Sequence, residues 1–118
     1  MPARLKPADP ADARAALARV RDGDAGKDDL RLLTKHYLAL LEARAPGRSV
    51  EVRVPPYAAV QCIEGVRHTR GTPPAVVETD AATWIAVATG ELAWGDAVDA
   101  GRVSASGERT DLTPYLPL

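Results

Sequence analysis

The longest run of helical spacing in the chain lies between residues 28 and 45. Within it, apolar residues recur at helical spacing, and Leu38 widens the face that they form. The recurring residues are Leu30, Leu33, Tyr37, Leu40 and Leu41. Acidic residues open the segment and a Pro-Gly pair follows it, which fits the helix dipole and the usual stop signals. The apolar stripe is too broad to face water, so this helix must lie on a sheet or on another helix.

A shorter helix is predicted before it. Asp9 can cap its first turn, Pro10 suits the first helical position, and Gly23 or Gly26 lies beyond its end. Its apolar stripe is thin and consists of Ala13, Leu17 and Val20. We therefore expect residues 1–26 to form a peripheral N-terminal helix and a linker.

From residue 50 onward, apolar side chains recur at every second position. Val50, Val52 and Val54 face one way, whereas Glu51 and Arg53 face the other, which predicts a half-buried strand. A Pro pair ends this strand, because proline cannot donate a hydrogen bond to a neighbouring strand.

Further strands follow along the chain. Residues 57–65, YAAVQCIEG, are largely apolar on both faces and predict a more central strand. Residues 66–70, VRHTR, suit a third strand or one arm of a hairpin, and GTPP suits a turn. Residues 75–79, AVVET, predict a short strand, and residues 102–107, RVSASG, predict the last one.

Two helices separate these last two strands. Asp80 is placed to cap the first helix, and Gly90 is placed to end it in the left-handed conformation. The predicted apolar face of that helix consists of Ala81, Trp84, Ile85 and Ala88. The second helix is short, with Trp94 and Val98 facing inward and Gly101 as its stop. In the tail, the residues suited to docking are Leu112, Tyr115, Leu116 and Leu118.

This order segregates the helices from a mainly antiparallel sheet, which is an α+β pattern. The 118 residues suit a single domain, residues 1–118. The 46% hydrophobic and 26% charged content is that of ordinary globular proteins. A net charge of −1 argues against a general nucleic-acid binder. We expect a cytoplasmic protein without stable membrane insertion, because no apolar stretch approaches about 20 residues and the lone cysteine allows no internal disulfide.

A cluster of cationic side chains is the main polar candidate. Arg67, His68 and Arg70 precede the predicted turn, and Arg53 of the earlier strand could join them. Arginine offers a fork of donors that suits carboxylate or phosphate groups, so these four residues could bind an anionic head group. The alternative is a polar hairpin whose charges pair with the nearby acidic side chains, which are those of Glu51, Glu64 and Glu78.

Catalytic and metal chemistry find little support in the sequence. Cys62 lies within an apolar strand, where a lone cysteine behaves as a small hydrophobic residue. His36 and His68 are far apart in the chain, and no pair of residues has zinc-ligand spacing. We therefore predict no catalytic residue, no metal and no cofactor.

A set of apolar side chains is predicted to line a cavity between helices and sheet. A filled core is the alternative, because both use the same residue types. The many alanines near the two tryptophans and the absence of phenylalanine favour a cavity. The predicted lining consists of Val60, Cys62, Trp84, Ile85, Ala88, Leu92, Trp94 and Val98.

Residues 79–118 resemble the sterol carrier protein-2-like family. They hold a capped helix with a large apolar residue, Trp84, and a TG-x-L ending at residues 89–92. An A-x-x-x-G-R-V strand entry follows at residues 97–103, and then Gly107 and a leucine-bearing tail. The preceding strands agree in order, and the whole chain looks most like the small bacterial, actinobacterial members.

The resemblance implies a five-stranded sheet backed by helices, with an apolar tunnel for lipids or acyl-CoA. We accordingly expect a non-catalytic carrier of a lipid, an acyl chain or another apolar small molecule. One alternative is an accessory protein-interaction domain, related to those appended to mycothiol-dependent isomerases, for which a homodimer is an open option. Another is an enzyme that uses His68 or Arg70.

Overall fold

The computed structural model describes residues 4–65, 75–107 and 110–118. Within these ranges the helices and strands follow the predicted order, and the α+β class is confirmed. The helices are α1 (Pro10–Arg21), α2 (Lys27–Arg44), α3 (Ala81–Thr89) and α4 (Trp94–Asp99), with a 3-10 turn at Thr113–Tyr115. The strands are β1 (Val50–Val54), β2 (Ala58–Cys62), β3 (Ala75–Thr79) and β4 (Val103–Ser106). The predicted strand or hairpin arm at 66–70 lies outside the described residues.

The described strands form one sheet in the order β2-β1-β3-β4. β1 is antiparallel to β2 and parallel to β3, while β3 is antiparallel to β4. The prediction of five strands in a mainly antiparallel sheet is therefore wrong for the described part of the chain, which has four strands in a mixed sheet. Alternation of side chains identifies a strand, but it does not identify the strand's neighbours or their direction.

The predicted central position of the second strand is also wrong for the described residues. β2 ends the strand order, and Ala59 and Gln61 on its outer face are exposed. Alanine at an exposed position made that face look apolar in the sequence. β1 and β3 hold the interior positions instead, so the valine-rich strands are the central ones.

The sheet has one buried and one solvated face. The strand register places Val52 beside Val60 on one side and beside Val77 on the other, and all three are buried. α2 packs on β2, and α3 packs on α2. On the opposite face, Arg53 and Glu78 are neighbours in the register and both are exposed. The sheet therefore has a polar outer face, as the alternation in β1 predicts.

Trp84 of α3 belongs to the buried cluster and is fully enclosed. Its indole Nε1 donates a hydrogen bond to the carbonyl oxygen of Thr34 in α2 at 3.3 Å, which ties the two helices together. Leu33, Leu38 and Leu41 of α2 are likewise fully buried, so the broad stripe of this helix is confirmed as a core face.

The predicted helix ends are confirmed in part. Asp9 caps α1 by accepting a hydrogen bond from the amide of Ala11 at 2.8 Å, and Gly90 ends α3 with φ of 84°. Asp80 occupies the N-cap position of α3, but its side chain accepts no cap hydrogen bond, so its predicted capping role is wrong. The first turn of α3 therefore has no side-chain cap from Asp80.

The C-terminal tail docks as predicted. Leu112 is fully buried, and the amide of Leu118 donates to the carbonyl oxygen of Ala88 at 2.8 Å. Arg44, near the end of α2, donates to the carbonyl oxygens of Tyr115 and Pro117 at 2.9 and 2.7 Å. In the described ranges, no helix has both the length and the apolar character that a membrane crossing requires.

Candidate functional site

Most of the predicted cavity residues lie in the protein core. Leu92 is partly buried against that core. Six of the eight belong to one cluster of buried side chains, namely Val60, Cys62, Trp84, Ile85, Ala88 and Trp94. These positions are explained by packing, and their role as cavity lining stays a prediction.

Val98 is placed differently from the prediction. It is 41% exposed, so the expectation that it faces inward is wrong. α4 is only six residues long and is buried along the line of Trp94 and Ala97. Val98 follows Ala97 by one residue, about 100° around the helix, and is turned away from the core.

Trp94 and Leu92 line a small apolar recess of about 230 Å³ beside the tail. Gly90 shapes one wall, because a Cβ atom there would approach Pro117 to 3.4 Å and a larger side chain would push the tail away. The remaining lining residues are Val87, Ala93, Thr113 and Leu116. The sequence predicts that the tail docks, but it does not predict that the tail lines a recess.

A larger groove of about 680 Å³ runs along the outer edge of β2. Its volume falls in the range of about 300–1,000 Å³ that is typical of small-molecule sites, whereas the recess is smaller. Its apolar lining consists of Leu5, Pro46, Ala59 and Val60. Its polar lining consists of Arg4, Glu42, Arg48, Glu51 and Gln61, and Gly47 completes it. Of these residues, only Val60 is among the predicted cavity residues.

The base of the groove is a fixed corner between α2 and β1. Ile63 donates its amide hydrogen to Ala45 O at 2.6 Å, and its carbonyl oxygen accepts from the amide and hydroxyl of Ser49 at 3.1 and 2.6 Å. Gly47 lies against this carbonyl so closely that a Cβ atom would overlap it. Ile63 itself has φ of 66°, which is strained for a β-branched residue. The bonds on both sides hold that conformation.

The charges around the groove are partly paired. Arg53, a predicted head-group residue, forms an ion pair with Glu51 on the outer face of β1. Arg53 donates a hydrogen bond to the carboxylate of Glu51, and this bond raises the pKa of the Arg53 guanidinium. Glu51 is thus neutralised, whereas no hydrogen bond or ion pair joins Arg4, Arg48 or Glu42 to a side chain in the described part of the chain.

Cys62, the last residue of β2, is fully buried. Burial, with a smaller contribution from the charge of Glu42, raises the pKa of the Cys62 thiol to about 12. The thiol therefore stays protonated at neutral pH, which does not support a nucleophilic role.

The other predicted polar residues cannot be placed. Arg67, His68 and Arg70 lie outside the described residues, and their role in anion binding stays a prediction. Among the residues that the structure does describe, no three side chains of His, Cys, Asp or Glu lie close enough to hold a metal ion.

The model of a family described as bacterial SCP ortholog matches residues 26–118. The chain belongs to this bacterial sterol carrier protein-like family. The match begins at the N-cap of α2 and includes every later element of the fold, so it reaches well beyond residues 79–118, which carry the resemblance in the sequence. It leaves out α1. A comparison with curated proteins found no match.

Proposed function

We propose that the protein binds an acyl chain or another apolar small molecule and carries it without changing it chemically. The observation that carries this proposal is the family match over residues 26–118, since sterol carrier protein-like domains are lipid-binding carriers. The groove beside β2 supports the proposal, because its volume of about 680 Å³ suits a small molecule. No reaction is part of the proposal.

The groove has the volume for this ligand, and the recess does not. The groove has about three times the volume, and its apolar lining includes Leu5 and Val60. Removing the ligand's apolar surface from water would drive binding by about 25 cal/mol per Å². The recess between α3, α4 and the tail is too small for a drug-sized molecule on the same scale.

Two matched substitutions test the function and its location. Ala59 lies on the groove and Ala93 lies on the recess, and both are exposed. We expect a fluorescent fatty acid to bind the unchanged protein. Ala59→Trp, which fills the groove, should weaken this binding by about tenfold or more, whereas Ala93→Trp should leave it unchanged.

The outcomes separate the two parts of the proposal. If only Ala93→Trp weakens binding, the assignment to the groove is wrong and the recess is the site. If the unchanged protein binds no fatty acid, and native mass spectrometry of freshly purified protein detects no bound lipid, the carrier function itself is wrong. Circular dichroism of both variants checks that the fold is intact.

A further inference from the structure

The arginines of the chain differ in whether they have partners. Arg19 forms a bidentate pair with Asp29 at 2.9 and 2.8 Å, and Arg21 pairs with Glu91 at 2.7 Å. By contrast, Arg4 and Arg48 are exposed and make no hydrogen bond or ion pair with any described residue. Both of these unpaired arginines line the groove. Their guanidinium donors are therefore available to a ligand that lies there.

Arg48 is positioned by its neighbours in the chain. Gly47 packs against the carbonyl group of Ile63, and Ser49 donates two hydrogen bonds to that carbonyl oxygen. The backbone on both sides of Arg48 is therefore tied to the end of β2. A guanidinium that projects from a fixed point loses less conformational freedom on binding than one on a loose loop.

Arg4 reaches the same groove from the N-terminal segment. The amide of Ala8 donates to Nδ1 of His36 in α2 at 3.0 Å, and Leu5 packs against the core. These contacts hold the segment against α2. Two cationic residues from distant parts of the sequence thereby line the same groove.

The carboxylates of the groove do not cancel these charges. Glu51 is paired with Arg53, which leaves Glu42 as the groove carboxylate without an ion-pair partner in the described ranges. Two arginines against one glutamate give a cationic balance beside an apolar wall. Because this inference rests on the proposed function, it concerns which ligand the groove selects.

We propose that Arg48 and Arg4 determine specificity by binding an anionic head group, so that the groove selects an acyl chain that ends in a carboxylate or a phosphate over a neutral one. Arginine recognises both groups through two parallel N–H donors. The apolar part of the ligand lies against Leu5 and Val60. Glu42 opposes the head group by charge repulsion and limits its affinity.

The test compares ligands with the same chain and different heads, namely dodecanoate, dodecyl phosphate and dodecanol. The unchanged protein should bind dodecanoate or dodecyl phosphate about tenfold more tightly than dodecanol, and the two anions together identify the preferred head group. Arg48→Gln should abolish this preference and leave dodecanol binding unchanged. Glu42→Gln should strengthen anion binding several-fold, on the order of the effect of one nearby charge.

Arg14 supplies the control, because it is an exposed arginine on α1 outside the groove and Arg14→Gln changes net charge equally. Equal affinity of the unchanged protein for anion and alcohol would overturn this inference and leave the carrier function standing. An equal loss of anion binding in Arg14→Gln and Arg48→Gln would also overturn it, because net charge would then be the cause. If none of the three ligands binds, the proposed function fails as well.

Discussion

The cluster around Trp84 and the groove beside β2 both contain apolar side chains, but they differ in the polar groups beside them and in the exposure of those groups to water. In the cluster, the one polar atom of Trp84 has a hydrogen-bond acceptor on α2 and no charged side chain is buried. In the groove, Arg4, Arg48 and Glu42 keep their charges exposed or half-exposed beside Leu5 and Val60. Charges that remain in water keep their hydration until a ligand arrives.

This difference indicates that the two regions have different roles. Opening the cluster would break well-packed contacts, and deleting a large buried side chain typically costs about 3–5 kcal/mol. The groove already lies open, so a ligand there displaces water and no protein atoms. Under the proposed function, the residues of the groove bind the ligand, whereas buried residues such as Trp84 and Ile85 stabilise the fold.

The largest expected effect comes from Gly47→Ala at the base of the groove. Its φ of 152° is one that residues with a side chain rarely adopt, and a Cβ atom would overlap the backbone of Ile63 and Glu64. Because backbone cannot move aside cheaply, we expect the free energy of unfolding to fall by about 3 kcal/mol. Chemical denaturation measures this, and ligand affinity should fall with it as the corner shifts.

Gly95→Ala is the matched control. Gly95 lies in α4, and a Cβ atom there has no neighbour within 4 Å. Alanine should be neutral or should stabilise the helix by about 0.5–1 kcal/mol. Similar losses in the two variants would contradict the idea that the corner at Ile63 is a special, tightly fitted part of the structure.

The sequence predicts the cluster well and the groove poorly, for a physical reason. A core face can be recognised within a short stretch of sequence, because buried apolar residues recur every three or four positions in α2 and every second position in β1. The groove joins residues 4–5, 42–48, 51 and 59–61, which come together only when β2 is placed on the edge of the described sheet. Nothing near Arg48 in the sequence indicates that it lines the same groove as Leu5.

The direction of the strands was unpredictable for a similar reason. Val77 alternates in β3 as Val52 does in β1, and the same pattern suits parallel and antiparallel neighbours. The buried face of α4 was also ambiguous. Ala97 and Val98 lie three and four residues after Trp94, so either could share its buried face. In each case packing between distant segments decided the outcome.

A medium effect is expected from Thr34→Val, at a buried residue whose carbonyl oxygen accepts the indole hydrogen bond of Trp84 in the cluster. The Thr34 hydroxyl is fully buried and has no hydrogen-bond partner among the described residues. Valine has a similar shape and removes the unsatisfied group, so the protein should become more stable by about 1–2 kcal/mol. Thermal and chemical unfolding measure the change.

Thr83→Val provides the comparison, since Thr83 is equally buried but its hydroxyl accepts a hydrogen bond from Nε of Arg102 at 3.1 Å. That variant should lose about 1 kcal/mol. A loss of stability in Thr34→Val as well would mean that the Thr34 hydroxyl has a partner in solution, such as a buried water molecule or a ligand. The cluster would then not be the dry core that the comparison with the groove assumes.

The smallest expected effect is a pH dependence of protein stability. It arises where His36 binds the N-terminal segment that carries Arg4 and Leu5 of the groove. Nδ1 of His36 accepts the amide hydrogen of Ala8 and can do so only while it is unprotonated. Burial lowers the pKa of His36 below its ordinary value of 6.5. In the window below 6.5 the unfolded chain therefore binds more protons than the folded protein, so stability falls as the pH falls through that window.

Chemical denaturation at about pH 7.5 and about pH 5.5 should show this loss in the unchanged protein and a smaller loss in His36→Gln, whose side chain cannot titrate. Both proteins retain His68, so the difference between them reports on His36. The lowered pKa values of Asp29 and Asp111 lie below 3.8 and affect stability only at more acidic pH. Equal pH dependence in the two proteins would mean that His36 does not hold the N-terminal segment, and Arg4 would then no longer count as a fixed part of the groove.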